Sequence, residues 1–221
     1  MTLCIDLFCG LGGWAEGFLA EGYNVVGFDC EKHDYGTGGY PGWLVLQDVL
    51  TLDGARFKNA AVIVASPPCQ EFSYMAMPWS RGKKIQQEYL DGTRDRKKLT
   101  ALFDACFRIQ REASEAAGHH IPMVVENVCG AQKWVGRSRW NFGPFHLFGD
   151  VPALMPYSFD VKKQGGDWFN ASQPSISRLY GSKSKKRLKA QAEIAKIPIT
   201  LARHVARVFK PNDMERLGVG K

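Results

Sequence analysis

No stretch of the 221-residue chain approaches the roughly 18 to 20 uninterrupted apolar residues that a membrane-spanning helix requires. No basic leader with a cleavage site precedes the first apolar segment, so a secretory signal is not expected and a cytoplasmic location is. The six cysteines, at positions 4, 9, 30, 69, 106 and 129, include no Cys-x-x-Cys pair. That argues against a structural zinc site and for reduced thiols, so no metal is expected. Internal repeats are absent, as are the G-x-G-x-x-G spacing of a dinucleotide fold and a Walker lysine.

Charge is present but unevenly placed. Residues 1–150 hold 15 Lys and Arg against 17 Asp and Glu, a net of −2, whereas residues 151–221 hold 14 against 5, a net of +9. A near-neutral body with a strongly basic end suggests a polyanionic partner.

Residues 3–8 form a short apolar run that ends at Cys9-Gly10-Leu11-Gly12-Gly13, followed by a helical pattern at 14–20 and a second strand at 23–28 ending at Asp29. Strand, glycine turn, helix and strand make a βαβ unit and therefore a parallel sheet. The pattern continues with strands at 60–65, 123–125 and 145–148 and an amphipathic helix at 100–117. Residues 77–98 are polar and rich in Arg, Lys and Gly, which suggests a mobile loop running into a helix start. Residues 159–184 show no period, and 190–210 recover helical character with an interruption at Pro198. One main domain is expected over 1–150, a small basic region over 151–189, and a C-terminal helix over 190–221 that returns to the main domain.

Ligands of open parallel sheets lie at the carboxyl ends of the strands, where Gly10, Asp29, Pro67, Cys69 and Glu126 all fall. The glycine turn lets backbone approach a ligand closely and aims helix-start N–H groups at it. Asp29 is placed to accept hydrogen bonds from ribose hydroxyls, or to serve as an ordinary turn residue. Two prolines ahead of Cys69 fix its backbone at a strand end. Cys4 and Cys106 suit the commoner role of small buried hydrophobes. A free thiol has a pKa of about 8.5, so a reactive Cys69 needs a neighbouring basic group or helix start. Glu126 is a candidate acid or acceptor for a bound base.

Taken together, D-L-F-C-G-L-G-G, P-P-C-Q-E-F-S and E-N-V, in that order, resemble the core motifs of the cytosine-5 DNA methyltransferases. The resemblance is firm over residues 1–150 and thin beyond. It implies a Rossmann-like, S-adenosylmethionine-dependent α/β fold with a very small target-recognition region. The cofactor would lie over Asp6, Phe8, Cys9, Gly10, Leu11 and Gly13, with Asp29 on the ribose and Asp48 on the adenine amine. Cys30, Val49 and Pro67 complete the implied cofactor contacts. Cys69 would add to carbon 6 of a flipped cytosine and Glu126 would hold its ring nitrogen 3 and amine, because carbon 5 is a poor nucleophile until addition enriches it. Double-stranded DNA is the implied partner, met by Gln70, Ser73, Arg81, Lys83 and Lys84, with Arg94, Arg96, Lys97 and Lys98 in the same basic loop. Lys162, Lys163, Lys185, Lys186 and Arg187, together with Lys183, suit phosphates in the small basic region.

Three departures from the family pattern stand out. Cys30 occupies the position of an aromatic that stacks on adenine. The Q-x-R-x-R motif has only a strained counterpart in Gln132, Arg137 and Arg139, of which Arg139 is the retained candidate. The closing G-N-S-V segment is replaced by Ile197-Pro198-Ile199 and the helix that follows. A compact monomer is expected, of the stand-alone kind found in phages and prophages, acting in a bacterial cell or infected host. The alternatives are methylation of cytosine in transfer RNA and a catalytically idle DNA-binding relative.

Overall fold

Short apolar runs separated by helix-forming stretches lead to parallel strands, because each crossover needs room for a helix. The computed structural model describes residues 2–36, 38–69, 72, 79–158, 161, 181 and 184–211. Its strands are β1 (Leu3–Leu7), β2 (Asn24–Asp29), β3 (Trp43–Leu46), β4 (Val62–Ala65), β5 (Met123–Asn127), β6 (Trp140–Phe142) and β7 (Phe145–Gly149). The helices are α1 (Gly13–Ala20), α2 (Trp79–Leu90), α3 (Arg96–Ala117), α4 (Gln132–Val135), α5 (Lys185–Ala195) and α6 (Ile199–Val208).

These strands form one sheet in the order β3-β2-β1-β4-β5-β7-β6. Strands β1 to β5 pair in parallel, and β7 runs antiparallel to both β5 and β6. The strand order reverses between β1 and β4, and a crevice at that point, beyond the carboxyl ends of the strands, is where such sheets take ligands.

Both faces of the sheet are covered, which is why β4 and β5 are buried along their whole length. Ile5, Leu7, Ile63, Met123 and Val125 pack with Leu99, Phe103, Cys106 and Ile109 of α3 on one face. Cys4, Val25, Val62, Val64 and Val124 pack with Trp14 and Phe18 of α1 and with Leu201 and Val205 of α6 on the other. This alternation follows from the two-residue period of a strand.

Helix α6 lies directly on α1. A Cβ added at Gly17 would stand 2.3 Å from the Ala202 Cβ and 2.7 Å from backbone atoms of Ala202 and Arg203. Arg203 and Arg207 both reach Glu21 Oε1, and the Tyr23 hydroxyl donates to the Ala206 carbonyl at 2.9 Å. Gly17→Val therefore overpacks this contact and is expected to cost about 1–3 kcal/mol. For a chain of this size each kcal/mol lowers Tm by about 2–4 °C, so thermal unfolding reads the effect, and an unchanged Tm contradicts the close approach.

The polar stretch at 77–98 reaches the expected helix start, α3 at Arg96, but residues 79–90 ahead of it are helix and not loop. It contains α2 over residues 79–90 and then a turn before α3, which Asp95 caps by accepting from the Lys97 N–H. Strands β3 and β6 are additional to those expected. The expectations at Gln70, Ser73, Lys162, Lys163 and Lys183 lie outside the described residues, as does most of 159–184.

Candidate active site

The glycine turn leaves β1 at Leu7 and enters α1 at Gly13. Phe8, Gly10 and Gly12 take φ of 56°, 49° and 76°, left-handed conformations that glycine adopts without steric cost and Phe8 does not. Cys9 N–H donates to the Phe28 carbonyl, which ties the turn to the end of β2. Around Gly10 an added Cβ would meet nothing within 4 Å. Gly13 instead abuts the Ile197 backbone, so the segment before α6 packs against the start of α1. Leu11 and Cys9 are buried, and burial pushes the Cys9 thiol pKa up.

Asp29 closes β2 beside this turn. Its Oδ2 accepts from the Gly10 N–H at 3.0 Å, and its Oδ1 accepts from the Glu31 N–H at 3.1 Å and faces His33 Nε2 at 3.4 Å. Burial alone would raise its pKa, but the bonds from His33, Gly10 and Glu31 outweigh that and hold the carboxyl below its ordinary value. The His33 imidazole is correspondingly shifted upward by its bond to Asp29, against the effect of its partial burial. Cys30 follows Asp29 and is exposed. Leu46 of β3 pairs with Asp29, and Asp48 lies two residues beyond it, capping a single 3-10 turn through the Leu50 N–H. Asp29 and Asp48 thus share one edge of the sheet, while Val49 is buried beneath.

Asp6, on β1 under the turn, is 1% exposed. Its Oδ2 accepts from the Tyr40 hydroxyl at 3.0 Å, and its Oδ1 has no partner among the described residues. Burial holds this carboxyl well above the usual carboxylate range, with the Tyr40 bond opposing only part of the shift. The Tyr40 ring can lie there because β2 carries Gly27, where a Cβ would stand 2.4 Å from the ring.

The segment 66–69 follows β4. Ser66 N–H donates to the Leu7 carbonyl at 3.1 Å, which extends the β1–β4 ladder to the start of the glycine turn. Trp14 Nε1 donates to Ser66 Oγ at 3.0 Å, so α1 also grips this segment. Pro67 is buried, Pro68 exposed, and Cys69 half-buried. The Cys69 carbonyl accepts from the Phe72 N–H at 3.0 Å, and Phe72 is buried.

Glu126 is buried on β5, one residue past Val125, which pairs with Ala65 of β4. Cys69 and Glu126 therefore leave the sheet on neighbouring strands. Asn127 Nδ2 donates to the Pro67 carbonyl at 2.9 Å, and Asn127 Oδ1 accepts from the Val128 N–H, so the two strand ends are bonded to each other. On the far side of β7, Trp140 is level with Glu126 across Leu147. Arg139 precedes it, exposed, with its N–H donating to the Leu147 carbonyl.

Of the basic residues expected to meet DNA, Arg81, Lys83 and Lys84 are exposed on α2, while Lys185, Lys186 and Arg187 form the first turn of α5 behind the Ser184 cap. Three cations at a helix start oppose the helix dipole, which favours an anion there. Tyr40, His33, Trp14 and Ser66 are the site residues that motif reading passes over, while Asn127 stands in the E-N-V motif without a role assigned to it there. A glycine inside strand β2 was the available signal for Tyr40, since such a glycine marks close approach. Among the described residues no group of three or more His, Cys, Asp or Glu side chains stands close enough to hold a metal ion. Nor is any helix among them long and apolar enough to cross a membrane.

No curated protein matches the chain. Among solved structures it is similar to a candidate DNA modification methyltransferase encoded within a prophage, from E. coli, at 26% identity and a TM-score of 0.37. That likeness covers 62% of this chain and 35% of the other, so this chain corresponds to about a third of that protein's length. The family model for C-5 cytosine-specific DNA methylases matches residues 2–128, more than half of the sequence and all of β1 to β5, and the chain belongs to that family.

Proposed function

We propose that this chain methylates carbon 5 of cytosine in double-stranded DNA, with S-adenosylmethionine as donor and Cys69 as covalent nucleophile. The observation that carries the reading is the bonded pair of strand ends: Cys69 after β4 and Glu126 on β5, tied through the Asn127 bond to the Pro67 carbonyl.

The cofactor's chemistry suits the residues around the turn. Open space at Gly10 admits a ligand against the backbone, and Asp6 Oδ1, without a partner among the described residues, offers an acceptor to an ammonium group. Asp6, Phe8, Cys9, Gly10, Leu11 and Gly13 would hold the amino-acid part, Asp29 the ribose, and Cys30, Asp48 and Val49 the adenine, with Pro67 at the border of the nucleophile segment. When bound, S-adenosylmethionine supplies an electrophilic methyl group.

The protein's own work is on the base. The Cys69 thiolate forms a bond to carbon 6 of a flipped cytosine, and the electrons of the 5,6 double bond move toward carbon 5. Glu126 holds ring nitrogen 3 and the exocyclic amine, which stabilises the charge that addition places on the ring. Once carbon 5 carries the methyl group, loss of its proton restores the double bond and expels the Cys69 thiolate. Arg139 is proposed beside the base on the Glu126 side. Gln70, Ser73, Arg81, Lys83, Lys84, Lys162, Lys163, Lys185, Lys186 and Arg187 are proposed to meet the DNA, most of them at phosphates, which set orientation without reading sequence.

Expression in a methylation-free host tests this directly. Sequencing of total DNA is expected to show 5-methylcytosine that depends on the chain. Label found in transfer RNA and not in DNA, or no label from a folded protein, contradicts the proposal.

A further inference from the structure

Several cations of the described surface are matched by carboxylates. Arg108 pairs with Glu112, Lys189 with Glu193, Lys196 with Glu16, and Arg203 and Arg207 with Glu21. The surroundings of Trp134 differ. The Arg96 guanidinium lies 5.5 Å and the Lys133 ammonium 5.4 Å from the centre of its ring. Neither these two residues nor Arg137 has an ion-pair partner among the described residues. An indole face attracts each cation by about 0.5–1 kcal/mol at an exposed site, and it leaves the positive charge available to an outside anion.

The arrangement is held in place. Tyr89 of α2 packs edge-on against Trp134 with centroids 5.6 Å apart. Gln132 Oε1 accepts from both the N–H and the hydroxyl of Ser138, whose oxygen also lies 3.0 Å from His146 Nδ1 on β7. Residues 136–138, between α4 and β6, are thereby tied to both α4 and β7. Topology sets where this lies. Helix α3 crosses from parallel strand β4 to β5, so its first residue, Arg96, stands at the carboxyl edge of the sheet, the edge from which Glu126 emerges.

We propose that Trp134, with Arg96 and Lys133 over its ring and Arg137 three residues on, forms a rigid phosphate-gripping platform for the backbone of duplex DNA at the sheet edge where Glu126 lies. The identity of the polyanion rests on the function proposed above; the excess of unpaired charge does not. Phosphates held here orient the duplex independently of its sequence.

The experiment is equilibrium binding of the full chain to duplex oligonucleotides across a salt series, comparing wild type with Arg96→Ala/Lys133→Ala. Each phosphate contact contributes about −0.9 to the slope of log affinity against log salt, so the double variant is expected to show a slope shallower by about 1.8. Its affinity should fall equally on duplexes of different sequence, with S-adenosylmethionine binding unchanged. Should the double variant unfold, Lys133→Gln carries the same test with a slope change of about 0.9. A wild-type slope retained in the variants overturns the platform and leaves the methyltransferase reading intact. A wild type that binds no duplex overturns both, and a loss confined to transfer RNA contradicts the choice of duplex DNA.

Discussion

Cys69→Ala is expected to abolish methyl transfer to DNA, with a loss on the order of 10⁵-fold or more, the scale on which removal of a nucleophile is felt in enzymes that form covalent intermediates. The reason is electronic. Without addition at carbon 6, carbon 5 of cytosine has too little electron density to take a methyl group. Cofactor binding should survive, because the glycine turn and Asp29 are held by Phe28, Gly10 and Glu31 and not by Cys69. Stability should survive as well, since Cys69 is only half-buried at the end of its segment, whereas Pro67 is anchored by Asn127. Single-turnover transfer of labelled methyl groups measures the rate, and titration with S-adenosylmethionine measures the binding. Cys30→Ala is the informative contrast: that thiol is exposed beside Asp29, so its loss should alter cofactor affinity and leave the chemical step unchanged. A Cys69→Ala protein that retains appreciable methyl transfer contradicts the nucleophile assignment.

Glu126→Gln is expected to slow the chemical step by about 10²- to 10⁴-fold, the range typical of a positioned acid or base. The amide keeps the shape of a residue that is 6% exposed, so the fold and DNA affinity should change little. It loses the ionisable group that meets the base as charge develops, so the deficit belongs in kcat and not in KM. Single-turnover rates together with gel-shift affinity separate the two. A variant weakened only in DNA binding assigns Glu126 to holding the duplex and contradicts its role in chemistry.

The segments of the candidate site were legible because each combines a strong local pattern with a short motif. Residues 3–8, 60–65 and 123–125 are apolar runs of strand length, and each leads into chemically unusual residues: a glycine turn, Pro-Pro-Cys, and Glu-Asn. What the sequence could not show are the bonds across long separations. Tyr40 to Asp6, Trp14 to Ser66 and Asn127 to Pro67 join residues 34, 52 and 60 positions apart. No local period encodes them. Helix α2 escaped detection because it is polar overall and buries mainly Tyr89, with Ile85 partly covered, too few apolar positions to make a stripe. Strand β6, of three residues, is too short for a two-residue alternation to register, and β3 is a largely exposed edge strand. Helix α6 was legible from its periodicity, but its seat on α1 depends on Gly17 and Ala202, small residues whose contact becomes apparent only in three dimensions.

The proposed covalent step at Cys69 is tested most directly by incubating the full chain and S-adenosylmethionine with duplex DNA carrying 5-fluorocytosine in place of cytosine. Fluorine at carbon 5 cannot leave as a proton does, so the expected result is a denaturation-resistant protein–DNA complex whose peptide map places the link on Cys69, and no such complex from Cys69→Ala. A chain that makes 5-methylcytosine on ordinary DNA yet gives no trapped complex, or a complex linked through any other residue, contradicts it.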